Sequence, residues 1–336
     1  MTEATEDYAV GTPTIGWLPG ALAWALLAAA AVAVGLLAFA GKSWPGDMAA
    51  FFRPQIAVAT GLLLLCAVAL RRRRLAAAFG VLLLLSGAPL FLSGVPRAPD
   101  ASHRDLRIVS ANLLYDNPDK AGFHGVVAGL SPDILVTQEA KFGWPEVLRT
   151  LPGLPYAAGP EVSRWNGNIV LSHYPMKAQL VPDMPPSGDP IGGAQAIRVE
   201  VMRPDAVRPL ILYAIHAPTP RTAAGWRTRN LYLDTLARRI AAEPAGADVV
   251  MAGDWNTPVW TPAFRDFFDR SQLLATERSA WPAATRVFFG LGKLLGTAVD
   301  HVAVSRGIGV AGISTGENFG SDHLPVVVDL ALPEGG

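Results

Sequence analysis

Hydrophobic and polar positions divide the chain into two regimes. Between Trp17 and Val95 apolar residues come in long blocks; beyond Asp105 they come in short runs closed by polar residues. The first block, Trp17 to Ala40, carries no charge and exceeds the about 20 residues that a helix needs to cross a bilayer. Lys42, Ser43, Pro45, Gly46 and Asp47 then predict a turn. A second block runs from Ile56 to Leu70, extended backwards by Phe51 and Phe52 with Arg53 near its edge. A third runs from Leu75 to Val95 and contains Pro89. A secretory signal has a shorter apolar region behind a basic front, whereas residues 1–14 are polar and acidic. The pattern predicts a disordered cytoplasmic tail over 1–16 and three transmembrane helices within 17–96. A linker over 97–105 and a soluble domain over 106–332 follow.

Four arginines, Arg71 to Arg74, fill the tight turn between the second and third blocks. Cytoplasmic loops hold the excess of Lys and Arg, so this turn and the N-terminus are expected inside and the soluble domain outside. Lys42 in the opposite turn is a small counterweight. The expectation is a multi-pass protein of the cell (inner) membrane with an extracytoplasmic domain. About ten residues join it to the last span, roughly 3.3 Å each, which keeps it close to the bilayer.

In the soluble part, Leu106 to Leu114 reads as a strand carrying Asn112 near its end. Ala121 to Leu130 reads as a helix, and Ile134 to Glu139 as a strand ending on a carboxylate. Ile169 to Ser172, led by Asn168, and Ala194 to Met202 are further strands. Leu210 to Ile215 is another, closed by His216. Thr222 to Ala242 is a helix with Arg227, Arg229, Arg238 and Arg239 mainly on a solvated face. The apolar run Val249 to Ala252 ends in Gly253-Asp254-Trp255-Asn256. Side chains alternate along an extended chain, so Asp254 and Asn256 point the same way. Ala298 to Val304 is a strand with Asp300 embedded, and Ser321-Asp322-His323 precedes the strand Val326 to Leu330. Residues 281–297 hold Phe288, Phe289, Leu291, Leu294 and Leu295 around Lys293. They read as a short helix packed on the core, with an apolar lip dipping into the membrane as the alternative.

Charge changes the picture only slightly. The whole chain balances 28 basic against 28 acidic residues, yet residues 1–99 net +3 and the remainder nets −3. A mildly acidic domain argues against tight nonspecific binding to nucleic acid. One cysteine, Cys66, excludes an intrachain disulfide. The polar residues at strand ends carry the chemistry. A carboxylate such as Glu139 at the end of an apolar strand is expensive unless paired or bound to a hard cation. An Asp–His pair can take a proton from water. An imidazole at His216 can donate to a phosphate oxygen, and Arg221 is the nearby candidate for a phosphate contact. Metal-assisted hydrolysis of a phosphate ester fits the whole set.

The chain resembles the endonuclease/exonuclease/phosphatase (DNase I-like) superfamily in IVSANLL, ILVTQEA, LYAIHAP, GDWNTP, the VDH segment and GSDHLPV. It is similar to a bacterial subgroup in which such a domain follows a few membrane spans. The resemblance implies an α/β fold, a four-layer α/β sandwich of two mixed sheets flanked by helices. It implies Mg²⁺ (or Mn²⁺) held by Glu139 with Asn112, Asp322 and Asp254 as further ligands. His323 would be the general base oriented by Asp300, and Asp254 would orient the attacking water. Asn256 would hold the phosphate, and His216 would stabilise the transition state or assist the leaving oxygen. Asn112, Asn168 and Arg221 complete the expected substrate contacts. Two positions depart from the family pattern: Ala298 stands where an arginine is common, and Asn168 where an alanine is common. The expected partners are the lipid bilayer and a phosphodiester substrate, nucleic acid by default or a lipid headgroup as the alternative. No protein partner is implied. A non-catalytic binding domain has no reason to keep both a metal carboxylate and an Asp–His base.

Overall fold

The computed structural model describes residues 18–92, 94–159, 167–186, 194–204, 206–288 and 295–333. The expected disordered tail lies outside the described residues, as do Trp165, Asn166 and residues 289–294.

Four helices open the chain: α1 (Leu18–Leu37), α2 (Trp44–Ala50), α3 (Arg53–Ala69) and α4 (Arg73–Phe91). Helices α1 and α4 are each long and apolar enough to cross a membrane, whereas α2 and α3 qualify only as a pair, bent by 70°. The expected turn at 42–47 is therefore largely helix. Ser43 caps α2 by accepting from Gly46 N, and Pro45 sits in its first turn. Pro54 occupies the same place in α3. It lacks the N–H that a straight continuation of α2 would need, which accounts for the bend. Arg53 is buried and donates to Ser86 O and Leu37 O, tying α3 to α4 and α1.

The remaining elements are β1 (Leu106–Asn112), α5 (Lys120–Leu130), β2 (Ile134–Gln138), α6 (Trp144–Leu148), β3 (Tyr156–Ala158), β4 (Ile169–Ser172), β5 (Met176–Leu180), β6 (Ala194–Val201), β7 (Leu210–His216), α7 (Ala223–Ala241), β8 (Val249–Asp254), α8 (Pro262–Ser271), β9 (Leu274–Ala275), β10 (Arg286–Val287), β11 (Gly296–Thr297), β12 (Asp300–Val304), β13 (Gly309–Thr315) and β14 (Val326–Ala331). They form two six-stranded mixed sheets, ordered β13-β14-β1-β2-β4-β3 and β5-β6-β7-β8-β12-β9. Ile108, Val136, Val170 and Val328 of the first sheet pack against Val199, Leu212, Val250 and Val302 of the second. Phe123 and Val127 of α5 and Trp144 of α6 cover the outer face of the first sheet. Helices α7 and α8 cover the second. Helix, sheet, sheet and helix make the four layers that the resemblance implied.

Several expectations are corrected. Residues 286–287 and 296–297 form an antiparallel pair, so the described ends of the 281–297 stretch are strand rather than the expected helix, and the expected apolar lip falls mainly on residues outside the described ones. Strand β12 begins at Asp300, which stands at its mouth rather than inside it. Arg229 is fully buried, not solvated, because Asp47 of α2 meets it with Nη2 to Oδ2 at 2.6 Å. The connecting residues 97–105 lie along the domain: Ala98 N donates to Ala275 O, Ala101 N to Val310 O and Asp105 N to Leu330 O. Leu37, Ala50, Ala57 and Leu90 of the opening helices share one core cluster with Trp260 and Phe264.

Candidate active site

Strand register gathers the site at one end of both sheets. In the first sheet β1 and β2 are parallel, with Asn112 beside Gln138, so Glu139 emerges next to Asn112. In the second, β7 and β8 are parallel and place His216 beside Asp254. Antiparallel β12 sets Asp300 directly across from Asp254. His323 precedes β14, which runs antiparallel to β1, and therefore arrives at the same end. Ser321 fixes it there: its Oγ donates to Asn112 O and accepts from His323 N.

At this end one amide bridges carboxylates of the two sheets. Asn112 Nδ2 donates to Glu139 Oε1 and to Asp254 Oδ2, both at 3.2 Å. Glu139 Oε2 also accepts from Tyr115 N at 3.1 Å. His216 Nε2 lies 3.7 Å from Asp254 Oδ2 and 3.9 Å from Glu139 Oε1, at ion-pair range. His323 Nδ1 donates to Asp300 Oδ2 at 2.8 Å, while its Nε2 faces Asp254 Oδ2 at 3.8 Å. One imidazole nitrogen is thus fixed and the other is turned to the centre of the cluster, the arrangement a positioned base requires. Asn256 donates to Ala217 O and Asp254 Oδ2 and accepts at Oδ1 from Arg286 Nη1 at 3.4 Å.

Backbone strain collects here. Leu114, Glu139 and Asn256 all have positive φ, at 55°, 57° and 47°. Non-glycine residues in that region cost of order 1–3 kcal/mol each and persist where surrounding structure over-determines them.

Electrostatics shows what the cluster favours. Burial raises the Asp254 carboxyl, and the Asp300 charge raises it further, against the lowering effect of His323 and His216. For Asp300, burial acts upward, but the His323 charge and hydrogen bond outweigh it and hold the carboxyl low. For His323, burial acts downward and is overcome by Asp300 and Asp254, which push the imidazole up to about 9. Asp254 and Asp300 face each other, with Glu139 across the Asn112 amide from Asp254, and the buried site favours added positive charge. A hard divalent cation fits that need. One ligand atom each from Asp254, Asp300 and His323 can come within 4.8 Å of one another. That set shares only Asp254 with the ligands implied by the resemblance.

The other expected residues are placed differently. Asp322 is more open, 36% exposed, and its Oδ2 turns toward Arg286 Nη2 at 3.4 Å. Asn168 is buried at the start of β4 and donates to Gln195 O, which ties β4 to β6. Arg221 is exposed at the bend before α7 and makes no contact with the cluster among the described interactions. Arg286 was missed. It reaches Asn256 and Asp322 from β10, pairs in register with His323, and lies over the Phe288 ring at 5.3 Å. The signal for it was indirect: a single cation ahead of an apolar run, in a chain with alanine at position 298. A second overlooked feature is the buried pair His301–Glu277, with Nδ1 and Oε1 2.5 Å apart. His301 Nε2 donates to Thr257 O and so braces the segment after Asn256.

Residues 109–323 match the model of the Endonuclease/Exonuclease/phosphatase family. Among curated proteins, none matches the sequence. An endonuclease/exonuclease/phosphatase from Beutenbergia cavernae is similar in structure at 19% identity and a TM-score of 0.54, over 69% of this chain and 72% of that one. An endonuclease/exonuclease/phosphatase from Bacteroides vulgatus gives 16% identity and 0.53, over 68% and 98%. A double mutant of beta toxin from Staphylococcus aureus with bound magnesium ions gives 16% and 0.50, over 67% and 99%.

Proposed function

The chain belongs to the endonuclease/exonuclease/phosphatase family, and we propose that it is a membrane-anchored phosphoesterase that hydrolyses a phosphodiester by attack of water, with Mg²⁺ or Mn²⁺ as cofactor. The observation that carries this reading is the His323–Asp300 pair aimed at the buried Asp254–Asn112–Glu139 bridge between the two sheets. Glu139 and Asp254 would hold the cation, which when bound neutralises phosphate charge and favours ionisation of water. Asn112 keeps the two carboxylates at their spacing. His323 Nε2 accepts the proton of the attacking water while Nδ1 stays with Asp300. Arg286 and Asn256 hold a non-bridging phosphate oxygen, and His216 donates to the developing charge on the opposite side. The run Arg71 to Arg74, across the turn after α3 and the start of α4, supports a cytoplasmic position for that turn and an extracytoplasmic active site.

Two substrate classes each have one observation behind them. A nucleic-acid phosphodiester is supported by Tyr115 and Phe142, whose rings stand 5.9 Å apart beside Glu139, Phe142 being 72% exposed. Exposed aromatic faces stack bases. A lipid phosphodiester is supported by an apolar crevice of about 730 Å³ between α3 and the hairpin. It is lined by Val58 and Leu62 on one side and Trp260, Trp281 and Leu295 on the other. The full chain in detergent micelles, assayed with Mg²⁺ or EDTA on plasmid DNA, single-stranded RNA, sphingomyelin and phosphoinositide vesicles and bis-p-nitrophenyl phosphate, tests both. Mg²⁺-dependent cleavage lost in His323→Ala is expected. Turnover that survives EDTA and the substitution overturns the assignment.

A further inference from the structure

Two lines of contact run from the opening helices into the site. Asp47, buried in α2, accepts from Arg229 Nη2 at 2.6 Å, and Arg229 Nη1 donates to the backbone oxygen of Asn256 at 2.9 Å. The guanidinium is completed by Nε donating to Asn230 Oδ1. So a fully buried ion pair joins the α2 carboxylate to the strained residue beside Asp254. The second line starts at Phe52, where α2 meets α3. Its ring lies 5.4 Å from that of Phe288, and Phe288 supports the Arg286 guanidinium that faces Asn256 and Asp322. Neighbouring contacts fix the same elbow. Trp44 Nε1 donates to Pro220 O, in the loop after His216; Gln55 Nε2 donates to Gly296 O of the hairpin; and Trp260 Nε1 donates to Ala50 O.

We propose that the 44–55 elbow is a positioning element of the active site, Asp47 acting through Arg229 on Asn256 and Phe52 acting through Phe288 on Arg286. Both lines end on the same residue, from its backbone side and its side-chain side. Asn256 holds φ at 47° with its oxygen committed to Arg229, so removing the carboxylate behind Arg229 lets the guanidinium turn away and the backbone relax. A small displacement suffices, because misplacing a catalytic contact by 1 Å costs about 10²-fold. The helices that anchor the chain thereby set the shape of its site. The kinetic consequence rests on the phosphoesterase reading; the structural consequence does not.

The test uses the full chain in lipid nanodiscs. Backbone hydrogen exchange at 254–257 is read with turnover of bis-p-nitrophenyl phosphate in Mg²⁺, for the wild type, Asp47→Asn and Phe52→Ala. Asp47→Asn is expected to speed exchange at Trp255 and Asn256 while the interior of β7 stays protected. Its kcat should fall about tenfold or more with KM nearly unchanged. Phe52→Ala is expected to lower kcat while leaving exchange at 254–257 close to wild type. If Asp47→Asn does not fold, the double change Asp47→Asn with Arg229→Gln removes both charges and is read instead; it is expected to exchange faster than the wild type at Trp255 and Asn256, since the contact to Asn256 O is lost, and wild-type exchange in it overturns the proposal. Wild-type exchange and wild-type kcat in a folded Asp47→Asn protein overturn the proposal. A wild type without turnover sinks the phosphoesterase reading alone, because the exchange measurement still decides the positioning role.

Discussion

At the residue scale, the imidazole of His323 is under two opposed demands. Two carboxylates stabilise its protonated form and hold its pKa up to about 9, whereas a base must be neutral to accept a proton. The folded pKa lies above the ordinary 6.5, so the stability this gives is fully present below about 6.5 and is lost as pH rises toward 9. On the proposed mechanism turnover should rise through the same window, as a pH–rate profile would read. Asp300→Asn removes the hydrogen-bonded carboxylate and should bring the imidazole titration down, as followed by NMR of the His323 ring. Turnover should fall about 10²–10⁴-fold because the base loses its orientation. Mg²⁺ added to the wild type should lower the same titration; an unmoved His323 would place the cation elsewhere. Arg286→Ala removes the side chain that faces Asn256 and Asp322. A charged hydrogen bond is worth about 1.5–3 kcal/mol, so kcat/KM on a phosphodiester should drop about 10- to 100-fold with little change in thermal stability. The gathering of Asn112, Glu139, His216, Asp254 and His323 was legible in the sequence because the first four close or follow an apolar strand and His323 stands just before one. Arg286 was not, since a hairpin fold carries it to Asn256 from 30 residues further along the chain.

At the element scale, the site depends on how tightly β7 and β8 approach. Gly253 sits between them with φ at +149°, and a Cβ there would lie 2.0 Å from Ile215 O. Backbone cannot yield as a flexible side chain can, so Gly253→Ala should cost about 3 kcal/mol or more, the high end for a single substitution. A melting temperature within a degree of wild type would show that the strands can separate without loss. The central strands were legible for the same reason that they are rigid: buried on both faces, β2, β7 and β8 open on continuous apolar runs before their polar ends. Edge strands β5 and β13 were not. They are only partly buried along their length, and β13 carries a register shift between Val310 and Gly312, which blurs the alternation that marks a strand. The short helix α2 was hidden behind Ser43, Pro45 and Gly46, residues that punctuate turns as readily as they start helices.

At the scale of the whole molecule, the opening helices and the α/β sandwich share a core. Their boundary looked like a simple tether because composition changes abruptly near Val95, whereas packing does not. Leu37, Ala50, Ala57 and Leu90 pack in the same cluster as Trp260, Phe264 and Leu236. Cutting the chain before residue 100 removes these partners and leaves the Arg229 guanidinium without Asp47 in a site that full-length packing keeps dry. Stranding one member of a buried ion pair costs about 3–5 kcal/mol, against a total stability of about 5–15 kcal/mol for a typical domain. The fragment 100–336 is therefore expected to melt well below the full chain in micelles and to aggregate through the exposed face of α8. Adding Arg229→Gln or Arg229→Met to the fragment should recover part of the loss, since it removes the stranded charge but not the missing apolar contacts. Differential scanning fluorimetry of the fragment, these two variants and the micellar full chain makes the comparison. A fragment as stable as the full chain would show that the helices add nothing to the stability of the domain; recovery in the Arg229 variants would instead assign the deficit to the broken ion pair.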